Sequence, residues 1–435
     1  MNNVRDFGAI GNGISKDTAA IQKAIDAGGI AYFPPGVYLS GTIYLRSNGG
    51  LDLAPGAVLL GSPDPEDYNA ADFCPQNRAS VNEIASGAHL ITAIEQENIV
   101  IRGGGRIDAN SPAWFAEMPM NPHSPIVYQR PPWRPSQTIF LCECKNLWIQ
   151  NVELANAAYW SCFLHGCENA TLSRLHIHSD HRVINDDGID LDCCSKVTVS
   201  DCIIDTGDDG ITLRGNSEPL KQKRACEYIT VTNCVLRSGY ANAIRIGVGS
   251  GIVRHSVFNN IVVYDTRTAI CVVSKYSDRE GVNGTTISDL AFRNLHVDVF
   301  RFLNLKLDNT STPKFPTPTT MERLVFSQIT GRVELSTFVH GNGQGIIRDV
   351  TFADMRLCQG GVGPAPDRHP RGRWGCASTD AAFDLRHAQD IAFERVRIDW
   401  ENNGAGWTSE VKAENATFTA APTCHFPKMQ ATAKA

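Results

Sequence analysis

The sequence predicts an all-β fold, a parallel β-helix closed near its start by one short helix. Three observations predict it. A pattern of apolar-x-apolar-x-(Asn/Asp/Arg)-apolar-x-apolar recurs along the chain, its alternation has the period of a strand, and only one stretch carries a clear helical signature.

The repeat is plainest as "LWIQNVEL" from Leu147, "ATLSRLHI" from Ala170, "VTVSDCII" from Val197 and "ITVTNCVL" from Ile229. Looser copies are "SVFNNIVV" from Ser256, "LAFRNLHV" from Leu290, "VTFADMRL" from Val350 and "IAFERVRI" from Ile391, with "IVIRGGGRI" from Ile99 as an early member. The first intervals are 23, 27, 32 and 27 residues. Each copy reads as two short strands with a kink between them. Such a unit cannot bury its inner face alone, but copies stacked on one another can. Helical repeats of this length fail because the alternation has period 2 rather than 3.6. An antiparallel sandwich is the alternative packing. Stacking further predicts ladders of Asn, Ser, Cys and apolar residues.

In chain order, residues 1–30 read as a cap. "KDTAAIQKAIDAGG" has Asp17 as N-cap, a helix-forming body and Gly28 as its stop. "PPGVYL" and "LAPGAVLLGS" follow as strands punctuated by turns. Residues 361–376, "GVGPAPDRHPRGRWGC", read as an insertion between strands, and from about residue 401 to 435 the pattern fades into a tail. No composition shift marks a boundary, so residues 1–435 are expected to form one domain.

Composition narrows the partners. At 42% hydrophobic and 20% charged the chain can bury a core. Its 40 Lys and Arg against 46 Asp and Glu, with no basic block, argue against nucleic acid. No apolar run has the roughly 20 residues of a membrane span. The start, "MNNVR", lacks signal-peptide character, so the chain is either cytoplasmic or deprived of a leader. Fourteen cysteines lie mostly inside apolar alternation. Cys142 and Cys144 share a strand face but lack a Cys-x-x-Cys or His pair, so packing rather than a metal is their expected role.

The chemistry lies in two acidic turns, "INDDGIDLD" and "DTGDDGITLR". Asp187 precedes Asp208 by 21 residues and Asp209 by 22, close to one coil. Equivalent positions on stacked strands lie about 4.8 Å apart, so the three carboxylates should gather on one face. Like charges so close oppose joint ionisation. A protonated acid beside ionised carboxylates is what glycoside hydrolysis uses. The plain alternative is a pair of turns whose aspartates bond their own backbone.

Placed in a β-helix, "NDDGIDL" and "GDDGITLR" resemble glycoside hydrolase family 28, the polygalacturonase-like enzymes. "VRDFGAIGNGISKDTAAIQKAIDA", "FPPGVYLSGTIYL" and "QTIFLCECKNLWIQNVELANAAYWSCFLHGCENATL" extend the resemblance over roughly residues 4–300. It implies a right-handed parallel β-helix that hydrolyses glycosidic bonds with inversion and needs no cofactor. The family's Asn-Thr-Asp-Gly is matched by Asn185, Asp186, Asp187 and Gly188, and its Gly-Asp-Asp by Gly207, Asp208 and Asp209. By that carry-over Asp208 is the general acid, while Asp187 and Asp209 position and deprotonate the water. Inversion then implies carboxyl groups roughly 6.5–9.5 Å apart. The resemblance also implies a secreted or periplasmic location and a polysaccharide or oligosaccharide substrate.

Two motifs differ. The family's Gly-His-Gly falls on Ala241-Asn242-Ala243, and its Arg-Ile-Lys has no clear match in "AICVVSKYS", where Lys275 is the cation. Expected substrate contacts are Asn185, His181, Arg214, Asn242, Arg245 and Lys275. Tyr240 and Tyr276 are candidates to stack on a sugar, although aromatic packing explains them equally well. A β-helix polysaccharide lyase or epimerase, and a non-catalytic glycan-binding β-helix, are the competing functions.

Overall fold

Copies of the repeat turn on one left-handed residue, which separates two short strands in the coils around Leu147, Ala170 and Val197 and lies within one longer strand in the later coils. That hinge is the Asn, Asp or Arg of the sequence pattern: Asn151 (φ 52°), Arg174 (51°), Asp201 (57°), Asn260 (57°), Asp354 (54°) and Arg395 (52°) all adopt it. Asn and Asp tolerate this region because their short polar side chains bond locally. A copy that sequence reading passes over, "LVFSQIT" from Leu324, turns on Gln328 (φ 56°) in the same way.

The structure, a computed structural model, describes residues 1–69, 74, 76–77, 86–115, 130–361, 363–364 and 377–432. The coils between residues 139 and 206 are three strands long. Ile139–Cys142, Lys145–Gln150 and Glu153–Ala155 pair in parallel with Cys162–His165, Glu168–Ser173 and His176–His178. These pair in turn with Ile189–Asp192, Ser195–Ser200 and Ile203–Thr206. Successive copies of the pattern stack in register: Leu147 faces Ala170, Ala170 faces Val197, and Leu324 faces Leu290 on one side and Val350 on the other.

The expected ladders are present. Asn48, Asn98, Asn146 and Asn169 pass side-chain hydrogen bonds along the stack. Phe258, Phe292, Phe326, Phe352 and Phe393 stack with ring centroids 4.8, 5.0, 5.3 and 5.2 Å apart. The spacing follows from the interstrand distance, so one ring per coil fills the core at near-contact separation. The Cys144 and Cys167 thiols are buried and donate to main-chain carbonyls. No disulfide forms among the described residues.

Contacts group the described residues into two compact units, both built from such coils. One comprises the described residues of 1–115, 130–211 and 219–224; the other, those of 212–218 and 225–432. In the first, the capping helix spans Thr18–Asp26 and buries Ile21, Ala24 and Ile25. Asp17 precedes it but does not cap it. Its buried carboxylate instead accepts the Ile10 and Gly11 N–H groups at 2.7 and 3.0 Å, because the chain before the helix doubles back over it. In the second, the expected tail is a further coil. Ser409–Glu414 pairs in parallel with Ala381–Arg386, and Phe418–Ala420 with Ala388–Trp400. The strands are short and their outer residues polar, which hides the alternation. The insertion expected at 361–376 lies almost wholly outside the described residues. No described helix is long and apolar enough to cross a membrane.

Candidate active site

Two successive coils of the first unit carry the acidic turns. His178 is in register with Asp205, so the turns that follow them lie over one another. The backbone then locks the turns together: Gly188 N–H donates to the Asp209 carbonyl and Ile189 N–H to the Gly210 carbonyl, both at 2.9 Å. Gly188 is required by this approach. A Cβ there would lie 2.4 Å from the Gly210 oxygen and 2.8 Å from Ile204 Cγ2.

This register brings Asp187, Asp208 and Asp209 together, with one carboxylate oxygen from each inside 4.8 Å of the others. Asp187 and Asp209 are buried, 4% and 8% exposed, whereas Asp208 is half-buried. The 4.8 Å span is between single oxygens, one from each carboxylate. Adjacent coils set the spacing from Asp187 to the pair, and Asp208 and Asp209 are neighbours in the chain. A water bridging two oxygens at ordinary hydrogen-bond distance fits within such a span.

The residue that sequence reading left without a role is Asp186. It sits in the turn before the strand Ile189–Asp192 and is fully buried. Its carboxylate accepts the Gly207 and Asp208 N–H groups at 2.7 Å each and the Ser179 hydroxyl. Burial pushes its carboxyl up to about 6, against these hydrogen bonds, which favour the ionised form. Asp186 therefore holds the main chain of the Asp208 turn from the coil before it. Thr206 closes the same turn by donating its hydroxyl to the Asp208 carbonyl at 2.9 Å, and Asp208 Oδ1 accepts the Asp209 N–H.

A matching family description confirms what these turns indicate: the sequence fits Glycosyl hydrolases family 28 over residues 69–363. The chain belongs to this family. Among curated family relatives, a polygalacturonase of Arabidopsis thaliana is 24% identical over 67% of this chain and 70% of its own length. The exo-poly-alpha-D-galacturonosidase of Dickeya chrysanthemi is 26% identical over 67% of this chain, which spans only 55% of that enzyme. A solved family 28 exopolygalacturonase from Yersinia enterocolitica superposes with a TM-score of 0.72 at 21% identity, covering 96% of this chain and 77% of its own. That likeness is one of fold, the right-handed parallel β-helix.

Within this family 28 chain the remaining expected contacts fall as follows. Asn185 adopts the left-handed conformation (φ 62°) and its amide oxygen accepts from Arg134 Nη2 at 3.0 Å. Arg134 is fully buried, lies 4.8 Å over the Tyr159 ring and also donates to the Ala158 and Ile184 carbonyls. Asn185 is thus tied into the frame of the turn. His181 pairs through Nε2 with Asp205 Oδ1 at 2.7 Å.

Arg214, Asn242, Arg245 and Lys275 belong to the second unit. Asn242 begins the strand Asn242–Gly249 and accepts from Arg267 at 3.2 Å. The Arg245 guanidinium lies 4.8 Å over the Tyr276 ring, which is 57% exposed. Arg214 sits half-buried on the strand Ile211–Gly215. Lys275 differs from the sequence expectation of an available cation: it is 2% exposed and donates to the Phe315 carbonyl at 2.5 Å, with Asp278 3.9 Å away.

Proposed function

We propose that this chain hydrolyses glycosidic bonds in a pectic, uronate-bearing polysaccharide or oligosaccharide, with inversion at the anomeric carbon. The observation that carries the reading is the gathering of Asp187, Asp208 and Asp209 within 4.8 Å on two locked turns. Asp208, the most accessible of the three, donates its proton to the glycosidic oxygen as the C–O bond breaks. Asp187 and Asp209 hold a water against the anomeric carbon and take its proton as the new C–O bond forms. Fixed carboxylates in a largely buried turn favour the positive charge that develops on the sugar. The names of the polygalacturonase relatives support a galacturonate-type substrate.

The approach of one oxygen from each carboxylate within 4.8 Å leaves one second reading, a double displacement in which a carboxylate attacks carbon and configuration is retained. Proton NMR of the first product of a pectic oligomer decides. The opposite anomer supports the proposal, and the same anomer replaces it with retention. Screening pectic and neutral glycans for new reducing ends tests the substrate class. Unsaturated products absorbing in the ultraviolet would overturn hydrolysis in favour of elimination. Full glycan binding without new reducing ends would overturn catalysis.

A further inference from the structure

The second unit contains an open groove of about 690 Å³ on the outer face of its coils, lined by Arg332, Arg356, Arg397 and His296 over the small residues Thr330 and Gly331. The strand register explains its charge. Arg356 lies directly opposite Arg397 on the next coil, an arrangement that is unfavourable without compensation. Asp399 supplies part of it, accepting Nε of Arg356 at 3.1 Å and Nε of Arg397 at 2.7 Å. The terminal nitrogens of both guanidinium groups take no part in these two bonds. Among the described residues those nitrogens have no hydrogen-bonding partner, and both side chains are at least half exposed. Arg332 is differently placed: Glu334 and Glu401 occupy its donors. The lining carboxylates are Asp298 and Asp399, and Glu334 and Glu401 offset Arg332, so the donors left for a ligand are the terminal nitrogens of Arg356 and Arg397 rather than a net positive charge. Gly331 is needed at its floor, since a Cβ there would meet the Val297 oxygen at 1.8 Å.

Two guanidinium groups on facing strand positions, each held through Nε by one shared carboxylate, keep terminal N–H donors of the kind that suit a further carboxylate. We infer that this groove is a second glycan-binding site, in which Arg356 and Arg397 hold a uronate carboxylate of an acidic glycan chain while further sugars lie along the coils. The inference rests on the uronate-bearing substrate proposed above.

The test uses the full chain carrying Asp208→Asn, so that long oligogalacturonate is bound without being cut, and reads affinity by calorimetry at two salt concentrations. Adding Arg356→Ala and Arg397→Ala should weaken that affinity about tenfold and flatten its salt dependence. Thr330→Phe, which fills the groove while keeping both arginines, should weaken it as well. On the Asp208 background, the arginine substitutions should leave hydrolysis of a galacturonate trimer within about twofold, with unchanged circular dichroism. Unchanged affinity for the long chain in the arginine variant, with hydrolysis of pectic oligomers intact, overturns the groove alone. Equal weakening by sulfated and uronate glycans as competitors overturns the carboxylate assignment. Failure of the chain to bind or cut any uronate glycan removes both this inference and the substrate class beneath it.

Discussion

The buried carboxylate of Asp186 accepts the backbone N–H of Asp208 at 2.7 Å, so the proposed acid is held through its main chain by the coil before it. The Asp186 carboxyl is raised by burial to about 6, from about 3.9 in an unfolded chain. Between these values the folded chain holds more proton. The stability contributed by this group is therefore fully present below about pH 4 and is lost as pH rises through 6, by about 3 kcal/mol. Asp186→Asn does not titrate. The stability of the native chain relative to Asp186→Asn, from urea midpoints, should therefore fall by about that amount between pH 4 and pH 7. A difference that stays constant with pH would show that burial does not raise this carboxyl.

Replacing Asp208 by Asn removes the transferable proton while preserving shape. Turnover should fall by about 100-fold or more, with substrate affinity retained. Asp187→Asn should be comparably damaging. Because the three act on one displacement, the double variant should cost little more than either single one. Steady-state rates on a pectic oligomer check this, and additive losses would argue against one shared site.

Gly188→Ala tests whether the locked turns matter. The new Cβ meets a backbone oxygen at 2.4 Å, and that oxygen belongs to Gly210, directly after the aspartate pair. One turn must shift, moving Asp187 relative to Asp208. We expect a loss of about 1–3 kcal/mol in stability and a fall in kcat much larger than any rise in KM. Wild-type kcat in a folded variant would mean that the spacing of the turns is unimportant.

Much of this architecture was written in the alternation. The residue at the centre of most copies is Asn or Asp because a left-handed hinge favours it, and Arg174 and Arg395 are recognisable as hinges only through the register of their neighbours. The aspartate trio was legible for the same reason, since one coil of chain separates Asp187 from Asp208. Asp186 was not. It lies in a turn that no periodicity governs and is buried, where a carboxylate is costly, and only the three donors waiting there account for it. Arg134 was hidden too: it lies in "PPWRPSQ", outside any repeat, 51 residues before the Asn185 amide that it holds. Lys275 misled because a cation in the equivalent stretch reads as available until the Phe315 carbonyl is seen beside it.

The phenylalanine stack predicts where the second unit is most sensitive. Phe292 is fully buried and contacts Phe258 and Phe326 at 4.8 and 5.0 Å. Phe292→Ala would leave a cavity that the coils above and below cannot close, because their spacing is fixed by the backbone ladder. A loss of about 3–5 kcal/mol is expected, against under about 1.5 for Phe292→Leu or Met with some repacking. Chemical denaturation measures both.

Acid should destabilise the first unit through His89. This side chain is fully buried, stacks on Phe140 with centroids 4.5 Å apart and faces the Gln137 carbonyl at 3.2 Å. Burial lowers its pKa to about 3, while an unfolded chain takes up the proton near 6.5. The stability from this group is therefore fully present above about pH 6.5 and is lost as pH falls towards 3, by about 5 kcal/mol in all. The sign is opposite to that of Asp186, and the larger displacement makes acid destabilisation the net result between pH 6 and pH 4. His89→Gln keeps polar contacts in the site without titrating there. Its melting temperature should lie below that of the native chain at pH 7, and the gap should narrow as pH falls to 4. A gap that widens on acidification would mean that the imidazole is protonated within the fold.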